Sequence, residues 1–354
     1  MMPNRRQRPN PSVPVITGSG MIALDLVISS NNCKSIPSWV GGTCGNVLII
    51  LRYLGWKSFP ISRLNGDSAS KRICSDLIRW KVNLDFAEQM PSVPPPVIVH
   101  TIRRTKDANA THTFSLKCPN CNSWLPSYRA ITNSIALAIS DQLPKSEVFF
   151  FDRASKGTLT LAKKFAESGA LVVFEPSSDN ETKYFQQALS IAHIIKYSCE
   201  RIPSLTWGTG NQRPGLIEIQ TLGSRGLRYR AKLPKVNTLG WKTISSIPAK
   251  LAVDTAGCGD WLTAGLLSKV GTGGLDQFLT INELELFNAL RFGQALAAWN
   301  SGFEGARGGM YHVDKRKFAS DIENIQQGKP CRKPRLQSIP SSLIRMNGNC
   351  MFCR

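Results

Sequence analysis

Between residues 148 and 220, apolar extended runs alternate with amphipathic stretches, and this rhythm restricts the fold more than any other feature of the chain. Residues 148–151, 170–174, 193–196 and 216–220 read as short buried strands, whereas 159–166 and 183–190 carry their apolar side chains at helical spacing. Strands joined through helices return beside one another in the same direction, which predicts a doubly wound, mostly parallel α/β sheet of three layers, covered by helices on both faces. Ligands of such sheets collect at the carboxyl ends of the strands. Two stretches break the rhythm, near 26–40 and 95–125. Their extended, β-branched segments, such as Val97-Ile98-Val99-His100-Thr101-Ile102, predict a small antiparallel sheet apart from the main one.

With 354 residues, 42% of them hydrophobic, the chain can bury one large core, and a single main domain over 14–325 is expected. No apolar run approaches the roughly 20 residues that cross a bilayer, and the basic start, 1–13, leads into no apolar segment, so the expectation is a cytoplasmic protein without membrane contact. Beyond Val313 the sequence turns basic and Pro-rich and loses helical periodicity; 326–354 reads as an appended basic, cysteine-containing tail. Part of the formal charge of +20 lies in the two ends. Such ends are solvated, or else attract nucleic acid.

The chemistry concentrates in Asp254-Thr255-Ala256-Gly257-Cys258-Gly259-Asp260, where two close glycines and a carboxylate stand at the start of an apolar helix. The glycines let backbone N–H groups crowd around an anion, the helix start adds positive partial charge, and Asp260 in the first turn can accept a proton from an attacking hydroxyl. Upstream, Gly41-Gly42-Thr43-Cys44-Gly45-Asn46 precedes a second helical run, and Thr221-Leu222-Gly223-Ser224-Arg225-Gly226 forms a third glycine turn. Asp25, five residues after Gly20, presents a carboxylate at the end of a first strand, suited to sugar hydroxyls. Gly18-Ser19-Gly20-Met21-Ile22-Ala23 fits a loose dinucleotide fingerprint, but the strand-like residues 26–29 follow it where that pattern needs a helix.

These three elements, in this order and spacing, resemble the ribokinase-like (PfkB) family of sugar kinases over roughly residues 14–315. The resemblance implies a ribokinase-like fold in which the two odd segments form a β lid, and ATP-dependent phosphoryl transfer to a hydroxyl of a sugar or sugar-containing small molecule. It implies Asp260 as catalytic base, Gly257, Cys258 and Gly259 as the anion hole, and Asp25, Gly41, Gly42 and Asn46 as acceptor-binding residues. On the nucleotide side it implies Ser198, Thr221, Gly223, Arg225 and Gly226; Arg225 reads equally as a solvated turn arginine. Where the family has Asn-x-x-Glu supporting Mg2+ through water, this chain has Ser198 and, displaced by one, Glu200. Residues 302–307 resemble a segment whose carbonyls bind a monovalent cation, K+, in many relatives. A nucleoside kinase of the same fold is the alternative, with Phe114 and Trp124 as candidate base contacts, and a homodimer through the lid is a further expectation.

Ten cysteines in such a chain read as reduced, buried or metal-bound thiols. Two Cys-x-x-Cys elements, Cys118/Cys121 beside the lid and Cys350/Cys353 in the tail, can form a tetrahedral all-cysteine Zn2+ site if the tail folds back onto the lid; independent reduced thiols are the other reading. A zinc-containing nucleic-acid-binding protein without kinase turnover is the reading from a different class.

Overall fold

A computed structural model of the chain describes residues 12–29, 35–87, 92–104, 110–178, 183–205, 216–238, 240–249, 252–329 and 343–345. The first part of the chain forms β1 (Val15–Ser19), β2 (Ala23–Ser29), β3 (Ser35–Gly41), α1 (Thr43–Tyr53), β4 (Lys57–Ile61), α2 (Ser68–Arg79), β5 (Val97–Arg104), β6 (Ala110–Ser115) and α3 (Asn133–Ile139). The middle forms β7 (Val148–Phe151), α4 (Lys156–Glu167), β8 (Leu171–Phe174), α5 (Lys183–Ile191), β9 (Ile194–Ser198), β10 (Leu216–Thr221), β11 (Leu227–Leu233), β12 (Val236–Asn237) and β13 (Lys242–Ile244). The rest forms α6 (Cys258–Val270), α7 (Gly274–Phe278), α8 (Glu283–Asn300), α9 (Gly308–His312), α10 (Lys315–Gln326) and β14 (Leu343–Arg345).

The main sheet runs β12-β11-β10-β9-β8-β7-β1-β4, with β13 also on β11. From β4 to β10 every pairing is parallel; β11 to β13 add an antiparallel edge. Burial follows this division. Val148-Phe149-Phe150-Phe151 is buried at every position, as a strand covered on both faces must be, whereas β11 alternates buried and partly exposed residues. Two apolar clusters, one on each side of the sheet, make the three layers expected from the alternating pattern.

Local chemistry sets the helix boundaries. Asp67 caps α2 by accepting from Ser70 N at 2.7 Å, and Asn282 and Glu285 close a capping box on α8. Helices α6 and α8 cross at glycine: a methyl at Gly265 would lie 2.5 Å from Gly293 Cα, and one at Gly293 would lie 2.5 Å from Leu262 O. Only hydrogen fits at that crossing, so the backbones approach closely and α6, which begins at the Gly257 turn, is seated firmly on its neighbour.

The second sheet has the order β14-β3-β2-β5-β6. It is mixed rather than antiparallel as expected: β2 and β5 pair in parallel, because the outgoing strands of two separate hairpins lie side by side. One other expectation is corrected. Residues beyond Val313 do not lose helical periodicity at once, since α10 buries Phe318, Asp321 and Ile322 on one face and is capped by Asp314. Within the tail, Leu343–Arg345 pairs antiparallel with residues 35–37, adding a strand to the lid edge. No helix among the described residues is long and apolar enough to cross a membrane.

Candidate active site

Helix α6 starts from Gly257, whose backbone is left-handed at φ 76°; a side chain there would collide with Ala306 O at 2.3 Å. The preceding residue pair is fixed from behind. Asp254 accepts from Ala256 N at 2.9 Å and from Gly305 N at 2.9 Å, while Val253 N and Asp254 N both donate to Ser301 O. Ala306 O accepts from Trp261 Nε1 and Asn300 Nδ2, so this carbonyl of the 302–307 segment singled out for a monovalent cation already serves N–H donors of the chain. Cys258 N–H closes a turn onto Thr255 O, and its thiol, held protonated by burial with a pKa of about 12, contacts Ala297 O.

Asp260 is buried in the first turn of α6. Burial, reinforced by the negative charge of Glu175, holds its carboxyl well above the usual carboxylate range, against the opposing pull of Asn46, Lys196 and Arg201. Its Oδ2 accepts from Asn46 Nδ2 at 2.6 Å. Residues 214 positions apart in sequence thus meet directly, one at the start of α6 and the other in the first turn of α1.

Asp25 does not end the first strand, as the sequence suggested; it lies within β2, in the lid sheet, opposite Trp39 of β3 and Ile98 of β5. Its carboxyl packs straight onto Gly41, where an added methyl would fall 1.9 Å from Oδ2. Gly42, at φ 79°, turns the chain into α1 with Met21 O close behind. Asp25, Trp39, His100, Arg307 and Tyr311 line one cavity. Phe114 stacks on the outer side of His100 at 4.9 Å, and Trp124 pairs with Lys117 on an exposed hairpin; neither lines this cavity.

The residues expected on the nucleotide side come together. Cys199 N donates to Thr221 O at 3.0 Å, Glu200 N to Ser198 Oγ at 3.3 Å, and a methyl on Gly223 would lie 3.5 Å from Glu200 Oε1. Gly223 and Gly226 both have positive φ, and Arg225 is exposed between them. Glu200 and Ser198 offer oxygen donors of the kind Mg2+ and its waters accept.

Sequence reasoning passed over four side chains that the fold brings to this centre. Lys196 and Glu175 form a buried ion pair beneath the turn, and a methyl on Gly259 would lie 3.4 Å from Lys196 Nζ. Glu175 also accepts from Thr263 Oγ1 at 2.7 Å. Asp152, at the end of β7, accepts from Met21 N and Cys44 N and so ties the acceptor-side turns to the main sheet. Arg307, 2% exposed, donates from Nε to Asn46 Oδ1 at 2.9 Å and from Nη2 to Val40 O and Asp76. A charged residue at the carboxyl end of a buried strand was the signal for Glu175 and Asp152.

Among the described residues no three His, Cys, Asp or Glu side chains gather as a metal site. Cys118 and Cys121 do form a tight knuckle: Asn120 N donates to Cys118 Sγ at 3.5 Å, Asn122 N to Cys118 O at 3.0 Å, and Asn122 is left-handed at φ 58°. Cys350 and Cys353, with the basic residues of 1–11, lie outside the described residues.

A three-layer α/β body, a β lid and a buried carboxylate at a glycine-led helix start define a ribokinase-like fold, and solved structures agree. The ribokinase of Giardia lamblia superposes with a TM-score of 0.65 at 16% identity, covering 90% of this chain and 99% of the other. The Arabidopsis thaliana ribokinase complexed with ribose and ATP gives 0.62 at 17% identity, covering 89% and 99%. In sequence, the chain is 24% identical over 327 residues to the probable chloroplastic fructokinase-6 of Arabidopsis thaliana, covering 83% of this chain and 79% of that protein. The pattern of the pfkB family carbohydrate kinases matches residues 15–311, and the chain belongs to that family as a sugar kinase.

Proposed function

We propose that the protein transfers the terminal phosphoryl group of MgATP to a hydroxyl of a sugar or sugar-containing small molecule held between Asp25, Gly41, Gly42 and Asn46, with Asp260 as the base. The observation that carries this reading is the Asn46–Asp260 hydrogen bond, because it joins the acceptor-side helix to the anion-binding turn at a buried carboxylate in the first turn of α6. With Oδ2 occupied by Asn46, Asp260 keeps Oδ1 for the acceptor. The acceptor oxygen attacks phosphorus and forms the new O–P bond, the old P–O bond breaks with its electron pair leaving on ADP, and the hydroxyl proton passes to Oδ1. A carboxylate whose proton affinity is raised by burial is better matched to that task than one titrating near its ordinary value.

Charge accumulates on the transferred group, and the Gly257 and Gly259 N–H groups at the start of α6, with Lys196 below, stand where they would balance it. Mg2+, supported through water by Glu200 and Ser198, would neutralise phosphate charge when bound. Thr221, Gly223, Arg225 and Gly226 form the nucleotide side. A nucleoside acceptor is the second reading, favoured by Trp39, His100 and Tyr311 around the cavity. In a separate structural role, the Cys118–Cys121 knuckle would offer two thiolates to a tetrahedral zinc site.

The test is an ATP-dependent phosphorylation assay over D-ribose, D-fructose and inosine. Asp260→Asn is expected to lower kcat by about 10²–10⁴-fold while nucleotide binding persists. Undiminished turnover in that variant would exclude Asp260 as the base.

A further inference from the structure

Arg307 is anchored on two sides and idle on the third. Nε holds the Asn46 amide, and Nη2 is held by Val40 O at 2.6 Å and Asp76 Oδ2 at 3.0 Å. Asp76 is fixed in turn by the Tyr311 hydroxyl and Val40 N. The guanidinium plane is therefore set before any ligand arrives. Its Nη1 is buried and has no hydrogen-bond partner among the described residues; the same is true of Asp25 Oδ1, and the two residues line the same cavity. Leaving a cationic donor and a carboxylate oxygen unpaired away from bulk water is costly. A merely structural tie between the 302–307 loop, α1 and α2 needs Nε and Nη2, and gives Nη1 nothing to do.

We infer that Arg307 Nη1 and Asp25 Oδ1 share one hydroxyl of the acceptor, distinct from the hydroxyl that is phosphorylated, so that the site selects a neutral polyol segment. This rests on the reading of the cavity as the acceptor site. A hydroxyl donates one hydrogen bond and accepts others, so a single oxygen satisfies the carboxylate and the guanidinium together. A carboxylate or phosphate there would suit Arg307 but would set a second negative charge beside Asp25, with Glu304 also on the cavity wall. A deoxy position leaves both groups unpaired, and fluorine in place of the hydroxyl accepts but cannot donate. Arg307 acts on Asn46 as well. With one lone pair of Oδ1 taken by Arg307 and one amide hydrogen by Asp260, Asn46 keeps one acceptor and one donor position for the acceptor molecule.

The experiment uses the full chain, MgATP and whichever of D-ribose, D-fructose and inosine is phosphorylated, compared with the mono-deoxy and mono-deoxyfluoro analogues of that acceptor. At one hydroxyl the deoxy analogue is expected to lose about 100-fold or more in kcat/KM, chiefly through KM, and the fluoro analogue distinctly less. Arg307→Met is expected to weaken the parent acceptor and to make the deoxy and fluoro analogues equivalent. If Arg307→Met lowers parent and analogues by one common factor, the residue is only a structural tie, and this inference falls while the proposed reaction stands. If the folded wild-type protein phosphorylates none of the three acceptors, the proposed reaction falls and the inference with it. Thermal unfolding monitors each variant. Should Arg307→Met not fold, Arg307→Lys, which keeps the charge but not the planar fork, decides by the same comparison: unchanged discrimination between the analogues overturns the inference.

Discussion

At Asp25, burial and a neighbouring cation pull in opposite directions. Burial pushes the carboxyl up and Arg307 pulls it down, with a balance of about 7 against an ordinary value of 3.8. A carboxyl that holds its proton more tightly when folded stabilises the fold below its unfolded value, and that stability is lost as pH rises through the folded value. The window is therefore about pH 4 to 7. Asp25→Asn, which cannot ionise, is expected to melt above the wild type at pH 8, with the gap closing towards pH 5. At about 1.4 kcal/mol per pKa unit the limit of the effect is roughly 4 kcal/mol, and thermal unfolding across this pH range checks it. A gap that widens on acidification would refute the assignment. The placement of Asp260 and Gly257 at a helix start was legible because it rests on local geometry: a glycine turn and a carboxylate within four residues of one another announce themselves. Arg307 was not legible, since its meaning depends on Asn46, 261 residues away, and no short-range pattern connects them. Only the folded chain shows that a residue in a supposed carbonyl-presenting loop is an anchored guanidinium.

Among the elements, α6 carries the heaviest positional demand, because its first turn holds both Gly257 and Asp260 while its middle must meet α8 at the Gly265–Gly293 crossing. Gly293→Ala puts a methyl 2.5 Å from Leu262 O and forces the helices apart. The expected cost is about 1–3 kcal/mol, read as a lowered denaturation midpoint, together with a fall in kcat as the anion turn shifts. A variant with unchanged stability would show that the crossing yields easily. The alternating elements of the main sheet were legible because continuous apolar runs and helical spacing are separate periodic signals. The parallel β2–β5 pair was not: each hairpin's register is local, but the way two hairpins meet is decided by how the body presents their bases. Helix α10 was obscured by its charge, since three basic residues in Lys315-Arg316-Lys317 mask an apolar face built from Phe318 and Ile322.

For the whole molecule, the tail strand β14 lies along the outer edge of β3, an edge that would otherwise present unpaired backbone groups. Truncation after Lys329 removes that cover. The shortened protein is expected to self-associate at concentrations where the full chain does not, through the uncovered strand, and light scattering on a sizing column measures this directly. Identical masses for the two forms would show that the edge is inert. The two sheets also divide the proposed site between them: Asp25 belongs to the lid, while Asn46, Asp260 and the Gly257 turn belong to the body. On the proposed reading, an acceptor gripped from both sides works as a keystone, holding roof to walls as it binds. Water, the rival nucleophile, is too short to span from one to the other. The kinase can then reject it by reach rather than by chemistry, and the donor nucleotide stays intact until something long enough to bridge the gap arrives.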